Sequence, residues 1–332
     1  MIRIGVVGPG IIWHRGHKHA VTALPEMFQV TAFCSRSEDR RRAAAAEFPG
    51  ARCFDDYHAL AASDALDAVL VATPIALNAA VSLRALEHGK HVFVEKPMAT
   101  STSDAHAIVA AARCAGRTVF VMEQAVHAPV WAEARAIIES GAIGRPVMFD
   151  RLQHGYIGPE RDPTGYGATD WRRKADYPLG SLFDGGIHHI AAHALLFGAP
   201  ASVYATAQQC RPDYGRYDNV CMVFDYKSGM SGFFSHSSFL NGRRGYFHVR
   251  GTDGLLVIDG ASIGIEPKSG EAQTRDIQQE DLHVRMWCHF ADCIRTGAEP
   301  CYTAADALRD IATLEAVAQS VAERAVIDIR TT

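Results

Sequence analysis

The feature that most constrains this chain is the alternation, across its first third, of short apolar runs with longer helical stretches. Runs rich in β-branched and aromatic residues fall at 2–7, 29–34, 68–72, 91–95 and 118–122. Between them lie helical patterns at 14–24, stopped by Pro25; at 37–48, with Ser37 as N-cap and Glu38 and Asp39 in the first turn; at 76–88, ending at Gly89; and at 104–115, closed by Gly116. Caps and acidic first turns of this kind satisfy orphan backbone donors and suit the helix dipole. Strands that alternate with helices require βαβ crossovers, which are right-handed. The pattern predicts an α/β domain built on a doubly wound parallel sheet.

The pattern changes after residue 123. A helix at 129–140 precedes strand-like stretches at 146–154, 202–209, 220–226, 232–239, 245–249 and 255–258, joined by short Gly/Asn/Asp turns at 227–229, 241–245 and 251–254. Hairpin-length links favour an antiparallel sheet. One helix, 187–197, interrupts these strands, and 304–324 is a long amphipathic pattern. The expected organisation is a nucleotide-type domain over 1–124, an α+β domain with a mainly antiparallel, open-faced sheet over 125–302, and a helix and tail over 303–332 that pack back between the domains.

The 332 residues and 48% hydrophobic content suffice for two cores. Lys+Arg 33 against Asp+Glu 37 gives a formal net charge of −4, which carries no electrostatic footprint for nucleic acid or an anionic membrane. The eight cysteines form no C-x-x-C pair and read as reduced thiols. No apolar run approaches the ~18 residues of a membrane span, and no signal-like segment precedes the first strand, so the expected compartment is the cytoplasm.

The first strand runs into Gly8-Pro9-Gly10-Ile11-Ile12-Trp13. Gly8 and Gly10 match the first two positions of G-x-G-x-x-G: one permits the tight turn, the other lets backbone N–H groups approach a pyrophosphate at a helix N-terminus. Trp13 replaces the third glycine, which normally permits close helix–strand packing, so the loop is expected to open further. The second strand ends at Cys34-Ser35-Arg36, where an NAD-specific site usually carries an acid for the ribose 2′-hydroxyl. Ser35 removes that carboxylate. Arg36, with Arg40 four residues on, offers guanidinium forks for a 2′-phosphate. A solvated basic helix face is the competing reading; the position at a strand's C-terminal end favours NADP(H), with NAD(H) second.

Glu95-Lys96-Pro97 follows the fourth apolar run, at the edge where open α/β sheets bind ligands. A lysine there can serve as a fixed cation or proton relay beside a substrate hydroxyl, and Pro97 restricts Lys96 to extended backbone. A surface ion pair is the competing reading. Further on, Asp184 and His188 are four residues apart at a helix start and share a face. An imidazole there can take a hydroxyl proton near neutral pH; an N-cap aspartate with an ordinary core histidine is the alternative.

Gly8 and Gly10, Ala72-Thr73-Pro74, Glu95-Lys96-Pro97, Asp184-x-x-x-His188 and the turn over residues 141–146 together resemble the glucose–fructose oxidoreductase/inositol dehydrogenase/MocA family, and the resemblance spans nearly the whole chain. It implies a Rossmann domain and an NAD(P)-dependent oxidoreductase that passes a hydride between nicotinamide and a sugar, polyol or related hydroxy or carbonyl compound. It also implies that Lys96, Asp184 and His188 converge on substrate: His188 as base, Lys96 polarising the reacting oxygen or relaying its proton, Asp184 orienting a hydroxyl or the imidazole. Gly8, Gly10, Ile11, Ile12, Ser35, Arg36, Arg40, Thr73, Pro74, Asn78, Glu95, Lys96, Gln124, Trp171 and Arg172 are the implied cofactor contacts, and a homodimer or homotetramer through the second sheet is the implied assembly.

The chain departs from the family where Asn-His often follows Thr-Pro: Ile75-Ala76 stand there and Asn78 takes the later His position. Glu123-Gln124 resembles the family's Glu-Asn, and Val126 replaces a frequent arginine. Tyr156, Tyr166 and Tyr177 are candidate sugar contacts or packing residues. His189 and His193 form H-x-x-x-H without the following Glu or a third ligand of a zinc site, so no metal is expected. His14, His17 and His19 read best as a wet first helix turn. Two other classes fit the same fold: a non-catalytic nucleotide sensor, and a lyase or glycoside-cleaving enzyme that uses NAD transiently.

Overall fold

The computed structural model describes residues 1–330; the side chains of residues 241–244 lie outside the described residues. The chain divides into two compact units, one made of residues 1–124 and 281–311, the other of residues 125–280 and 312–332.

In the first unit the order is β1 (Ile2–Val7), α1 (Lys18–Thr22), β2 (Phe28–Cys34), α2 (Glu38–Glu47), β3 (Arg52–Phe54), α3 (Tyr57–Ala61), β4 (Ala68–Val71), α4 (Ile75–Glu87), β5 (His91–Glu95), α5 (Thr102–Ala115) and β6 (Val119–Met122). The sheet is six-stranded and parallel, in the order β3-β2-β1-β4-β5-β6. This is the doubly wound form, with its switch point between β1 and β4. The central strands are apolar throughout because helices cover both faces; Ala68–Val71 is fully buried. Ser37 caps α2 by accepting the Arg40 N–H, as expected, and Gly89 and Gly116 take left-handed backbone after α4 and α5.

Two short elements escape periodicity: β3 is a mostly exposed three-residue edge strand and α3 a single turn and a half. The register aligns the strands' C-terminal ends: Val7 pairs with both Cys34 and Val71, Val71 with Val94, and Glu95 with Met122. Gly8, Ser35, Thr73, Lys96 and Gln124 therefore follow one sheet edge.

The second unit begins with α6 (Pro129–Glu139), β7 (Pro146–Tyr156), α7 (Asp170–Arg173), α8 (Ile187–Phe197), β8 (Ser202–Gln208), β9 (Asn219–Asp225), β10 (Ser231–Ser237), β11 (Phe239–Gly251), β12 (Gly254–Asp259), β13 (Ser262–Pro267) and β14 (Gln273–Asp276). Its nine strands run β14-β13-β12-β11-β7-β10-β9-β8-β15, with β15 (Ile327–Asp328) contributed by the C-terminal segment. Every described pairing is antiparallel except β7 with β10. That parallel pair is possible because the long connection carrying α7 and α8 intervenes. The inner face packs on α6 and α8: Phe149 stacks on Phe197 at 5.4 Å, and Phe247 meets Trp131 at 6.0 Å.

The stretch from residue 281 returns to the first unit. Asp281 caps α9 (Leu282–Thr296) by accepting the His283 and Val284 N–H groups. Trp287 and Phe290 enter the aromatic core: Trp287 lies 4.9 Å from Phe28 and 4.7 Å from Phe93, and Phe290 4.7 Å from Phe120. Assigning 281–302 to the second domain by sequence position missed this return. α10 (Ala304–Glu323) begins in the first unit and ends in the second. Among the described residues no helix is long and apolar enough to cross a membrane.

Candidate active site and dinucleotide cradle

Gly8 has φ +83°, and a Cβ there would lie 2.8 Å from the Ala72 carbonyl oxygen. The turn between β1 and the first helix therefore requires glycine on both conformational and steric grounds. Trp13 does not leave a loose loop. It is 1% exposed and packs against Phe33 and Phe48 at 5.6 and 5.9 Å. The chain accommodates the indole with a wide π-helical turn over Trp13–His17. The close approach moves to Gly16, where a Cβ would meet the His283 imidazole at 2.6 Å.

The space before Gly10 is open: a Cβ built there would meet nothing nearer than Gly8 O at 3.8 Å and Arg40 Nη1 at 4.0 Å. A glycine turn with a guanidinium beside it suits an anionic pyrophosphate. Ile11 and Ile12 are half-buried behind the turn. At the end of β2, Ser35 Oγ accepts the Ser37 N–H at 3.2 Å. Arg41 donates to the carbonyls of Ser35 and Arg36, and Arg42 pairs with Glu38, so neither is available to a ligand. The side chains of Arg36 and Arg40 are exposed and have no ion-pair partner among the described residues.

The end of β5 is wired differently. Glu95 is 6% exposed, and its Oε1 lies 2.7 Å from His17 Nε2. Trp287 Nε1–H donates to His17 Nδ1 at 3.2 Å. Because indole can only donate, Nδ1 is the acceptor nitrogen and Nε2 carries the proton given to Glu95. His17 is fully buried, which corrects the expectation of a wet first turn. Beside it, burial and the neighbouring His17 bring His283 down to about 4.

Asn78 is also fully buried, and its Nδ2 donates to the carbonyls of Glu95 at 3.0 Å and Pro97 at 2.9 Å, while Oδ1 accepts from Thr73 Oγ1 at 2.8 Å. Expected as a cofactor contact, Asn78 instead clamps the backbone on either side of Lys96: with no exposed surface it presents nothing to a ligand. The Lys96–Pro97 peptide is cis, and Lys96 is half-buried. Pro74 is exposed ahead of α4, and Gln124 opens a short 3₁₀ turn after β6.

In the second unit, a π-helical turn over Leu182–Gly186 leads into α8 and holds Asp184, 7% exposed. Arg172, from α7, donates to it through Nε at 2.5 Å and Nη2 at 3.5 Å, and through Nη1 to Thr169 at 3.3 Å. Its guanidinium lies 4.0 Å from the Trp171 ring centre and 5.0 Å from that of Tyr166. His188, one turn beyond Asp184, is half-buried. Tyr156 and Glu160 belong to a separate cluster around Arg211, and Tyr177 is buried against Phe183.

Sequence reasoning named Trp171, Arg172, Asp184 and His188 but not the Arg172–Asp184 pair, and it missed His17 and Trp287 as partners of Glu95. The last three span 270 residues, and no local pattern joins them.

Two family models cover most of the chain. Residues 2–123 match the oxidoreductase family with the NAD-binding Rossmann fold, and residues 131–257 match the GFO/IDH/MocA C-terminal domain. The chain is 29% identical over 284 residues to the scyllo-inositol 2-dehydrogenase (NADP(+)) IolU of Bacillus subtilis, covering 86% of this chain and 83% of the relative. It is 25% identical to the scyllo-inositol 2-dehydrogenase (NAD(+)) of the same organism, covering 92% and 90%. The crystal structure of an oxidoreductase (TM0312) from Thermotoga maritima superposes with a TM-score of 0.91 at 29% identity, covering 99% of this chain and 98% of that one. With the glycine cradle, the doubly wound sheet and both domain matches in hand, the chain belongs to the Gfo/Idh/MocA family of NAD(P)-dependent oxidoreductases.

Proposed function

We propose that the chain is an NADP(H)-preferring dehydrogenase or reductase of a sugar or polyol, with Lys96, Asp184 and His188 as its catalytic residues. The observation that carries this reading is the clamped Glu95-Lys96-Pro97 element, in which Asn78 holds the carbonyls on both sides of the lysine and His17 holds the preceding carboxylate. Fixing a polar side chain at a strand's C-terminal end is what a reacting group needs. The polyol dehydrogenases among the relatives support the substrate class.

When bound, the nicotinamide supplies the hydride chemistry. Gly8 and Gly10 would hold its pyrophosphate, with Arg40 beside them. Ile11, Ile12, Thr73, Pro74, Gln124 and Trp171 would contribute contacts along the same dinucleotide. Arg36 and Arg40, whose guanidinium groups are unspent, would grip a 2′-phosphate that Ser35 does not repel.

In the oxidative direction His188 accepts the hydroxyl proton as the C–H bond breaks, and Lys96 donates a hydrogen bond to the reacting oxygen. Asp184, which accepts the Arg172 guanidinium N–H, orients the imidazole or a neighbouring hydroxyl. The outer face of the second sheet, where Tyr204, Val223 and Met148 are exposed, supports self-association, which sedimentation of the purified protein would measure.

The deciding experiment offers purified protein NADP(+) or NAD(+) with a panel of inositols, pentoses and hexoses and follows nicotinamide absorbance. Net reduction with at least one polyol is expected. Substrate consumption with no net change in absorbance would instead indicate transient oxidation followed by elimination.

A further inference from the structure

The inner face of the second sheet carries a buried guanidinium with no carboxylate against it among the described residues. Arg151, in β7, is 7% exposed, and its Nη1 has no hydrogen-bond partner among the described residues. The guanidinium lies over ring faces: Trp131 at 5.4 Å and its cross-strand partner Phe247 at 5.2 Å. Asp150 next to it points to the opposite face, where it pairs with Arg250 and His248.

Three imidazoles surround the same space. His236, two residues along β10 from Phe234, is 4% exposed and its Nδ1 is unpartnered. His193, on α8, is 3% exposed and neither ring nitrogen has a partner; its ring is 5.2 Å from Phe234 and 5.3 Å from Phe247. His189, one turn earlier, lies 6.2 Å from His236.

Burial lowers Arg151 to about 9, so it keeps its proton at neutral pH. Burial, with the Arg151 charge, pushes His189 and His193 well below the usual imidazole range, and burial with the neighbouring His154 and Arg151 pushes His236 to about 3. The cluster thus consists of one positive charge and three neutral rings, each able to donate an N–H. A buried charge without a counterion, and four buried nitrogens without partners, are both costly. The same guanidinium disfavours a metal cation at His189 and His193.

We propose that Arg151, His193 and His236, with His189 at the side, form an anion-binding site within the second unit that takes a compact monoanion, either a halide ion or a single carboxylate group. One net charge sets the valence, and the rings of Phe234, Phe247 and Trp131 border the guanidinium and the imidazoles. Water would satisfy the donors but leave the charge unbalanced. The proposal stands apart from the assignment of substrate and cofactor.

The test starts from purified protein exchanged into isethionate, a sulfonate that carries no carboxylate group. Thermal unfolding is then followed as isethionate is replaced by bromide, chloride or acetate at constant ionic strength. The midpoint is expected to rise with the logarithm of anion concentration, by about 5 °C once the site saturates. Arg151→Met should remove this dependence. Crystals grown in bromide should show anomalous density beside Arg151 Nη1 and His193, a readout that needs no variant.

A rise with acetate but not with bromide or chloride assigns the site to a carboxylate-bearing ligand; a rise with halides assigns it to the free ion. Identical midpoints in every salt, an undiminished rise in Arg151→Met, or, where halides raise the midpoint, bromide crystals with water alone at the site would overturn the proposal.

Discussion

The ends of β2 and β5 belong to one parallel sheet, yet they are built on opposite principles. At β2 the candidate ligand contacts are exposed: Arg36 and Arg40 lie on the surface, and the hydrogen bonds that order the turn come from Ser37 and Arg41. At β5 almost everything is buried and paired, from Trp287 through His17 to Glu95, with Asn78 bridging two carbonyls. Exposed cations attract and select a charged ligand but hold it loosely, because water screens them. A buried, fully paired network costs more to build and fixes geometry to a fraction of an ångström. On the proposed function, selection of the dinucleotide falls to the end of β2 and positioning of the chemistry to the end of β5.

The sharpest way to break this division is at Lys96. Lys96→Ala should lower turnover by roughly 10²–10⁴-fold, the range of a positioned proton-transfer group, while dinucleotide affinity stays within a few-fold. Unchanged turnover would remove Lys96 from the chemistry and leave the β5 network without a catalytic purpose.

A second buried carboxyl in the first unit offers the next largest effect. Asp310 accepts the Tyr302 hydroxyl at 2.5 Å, is 2% exposed, and burial pushes it up to about 7. The Tyr302 hydrogen bond and the Arg309 charge pull it back down, but not enough to offset burial, and Glu123 nearby raises it further. Its folded value lies above the ~3.9 of an unfolded aspartate, so between about pH 4 and 7 the folded state keeps a proton that the unfolded state has released. Stability therefore falls as pH rises through that window and levels off above it, by about 4 kcal/mol in all. Asp310→Asn keeps an acceptor for Tyr302 and should flatten this dependence, as urea unfolding at pH 4.5 and 8 (roughly the two ends of the window) would show. An equal pH slope in both proteins would place the titration elsewhere.

Asn78→Ala strips partners from two buried carbonyls and should cost about 3 kcal/mol in unfolding free energy. If the clamp positions Lys96, turnover should fall while the dinucleotide Kd holds; a loss of affinity alone would make Asn78 part of the cofactor site after all. The smallest effect is expected at the loosely built end. Arg36→Ala should shift the ratio of NADPH to NADH affinity about tenfold towards NADH, as one exposed charge-assisted contact would. A ratio that does not move would return Arg36 to the solvated helix face.

Much of this molecule is legible in the order of its amino acids. The parallel first sheet follows from period and punctuation: apolar runs too short for helices, separated by capped helices that end at Gly89 and Gly116. The glycine turn, Lys96 and the Asp184/His188 pair can be picked out because their chemistry is unusual for the places they occupy. The short edge elements β3 and α3 and the outer strands β13 and β14 are not legible, since three to six residues with little burial carry almost no periodic signal. α9 escapes for another reason: its apolar face belongs to a core laid down more than 150 residues earlier.

The sequence by itself determined which residues lie at the carboxyl ends of the strands, because strand direction and crossover handedness follow from local order. Only the tertiary structure decided their state. Burial turned His17 from an expected surface histidine into the donor that holds Glu95, made Asn78 a clamp on the backbone either side of Lys96, and paired Asp184 with Arg172 while leaving Arg151 without an acid among the described residues. The physical reason is that desolvation and hydrogen bonding depend on which groups the folded chain brings within about 3 Å of one another, and those partners come from segments whose separation in sequence carries no trace of the contact.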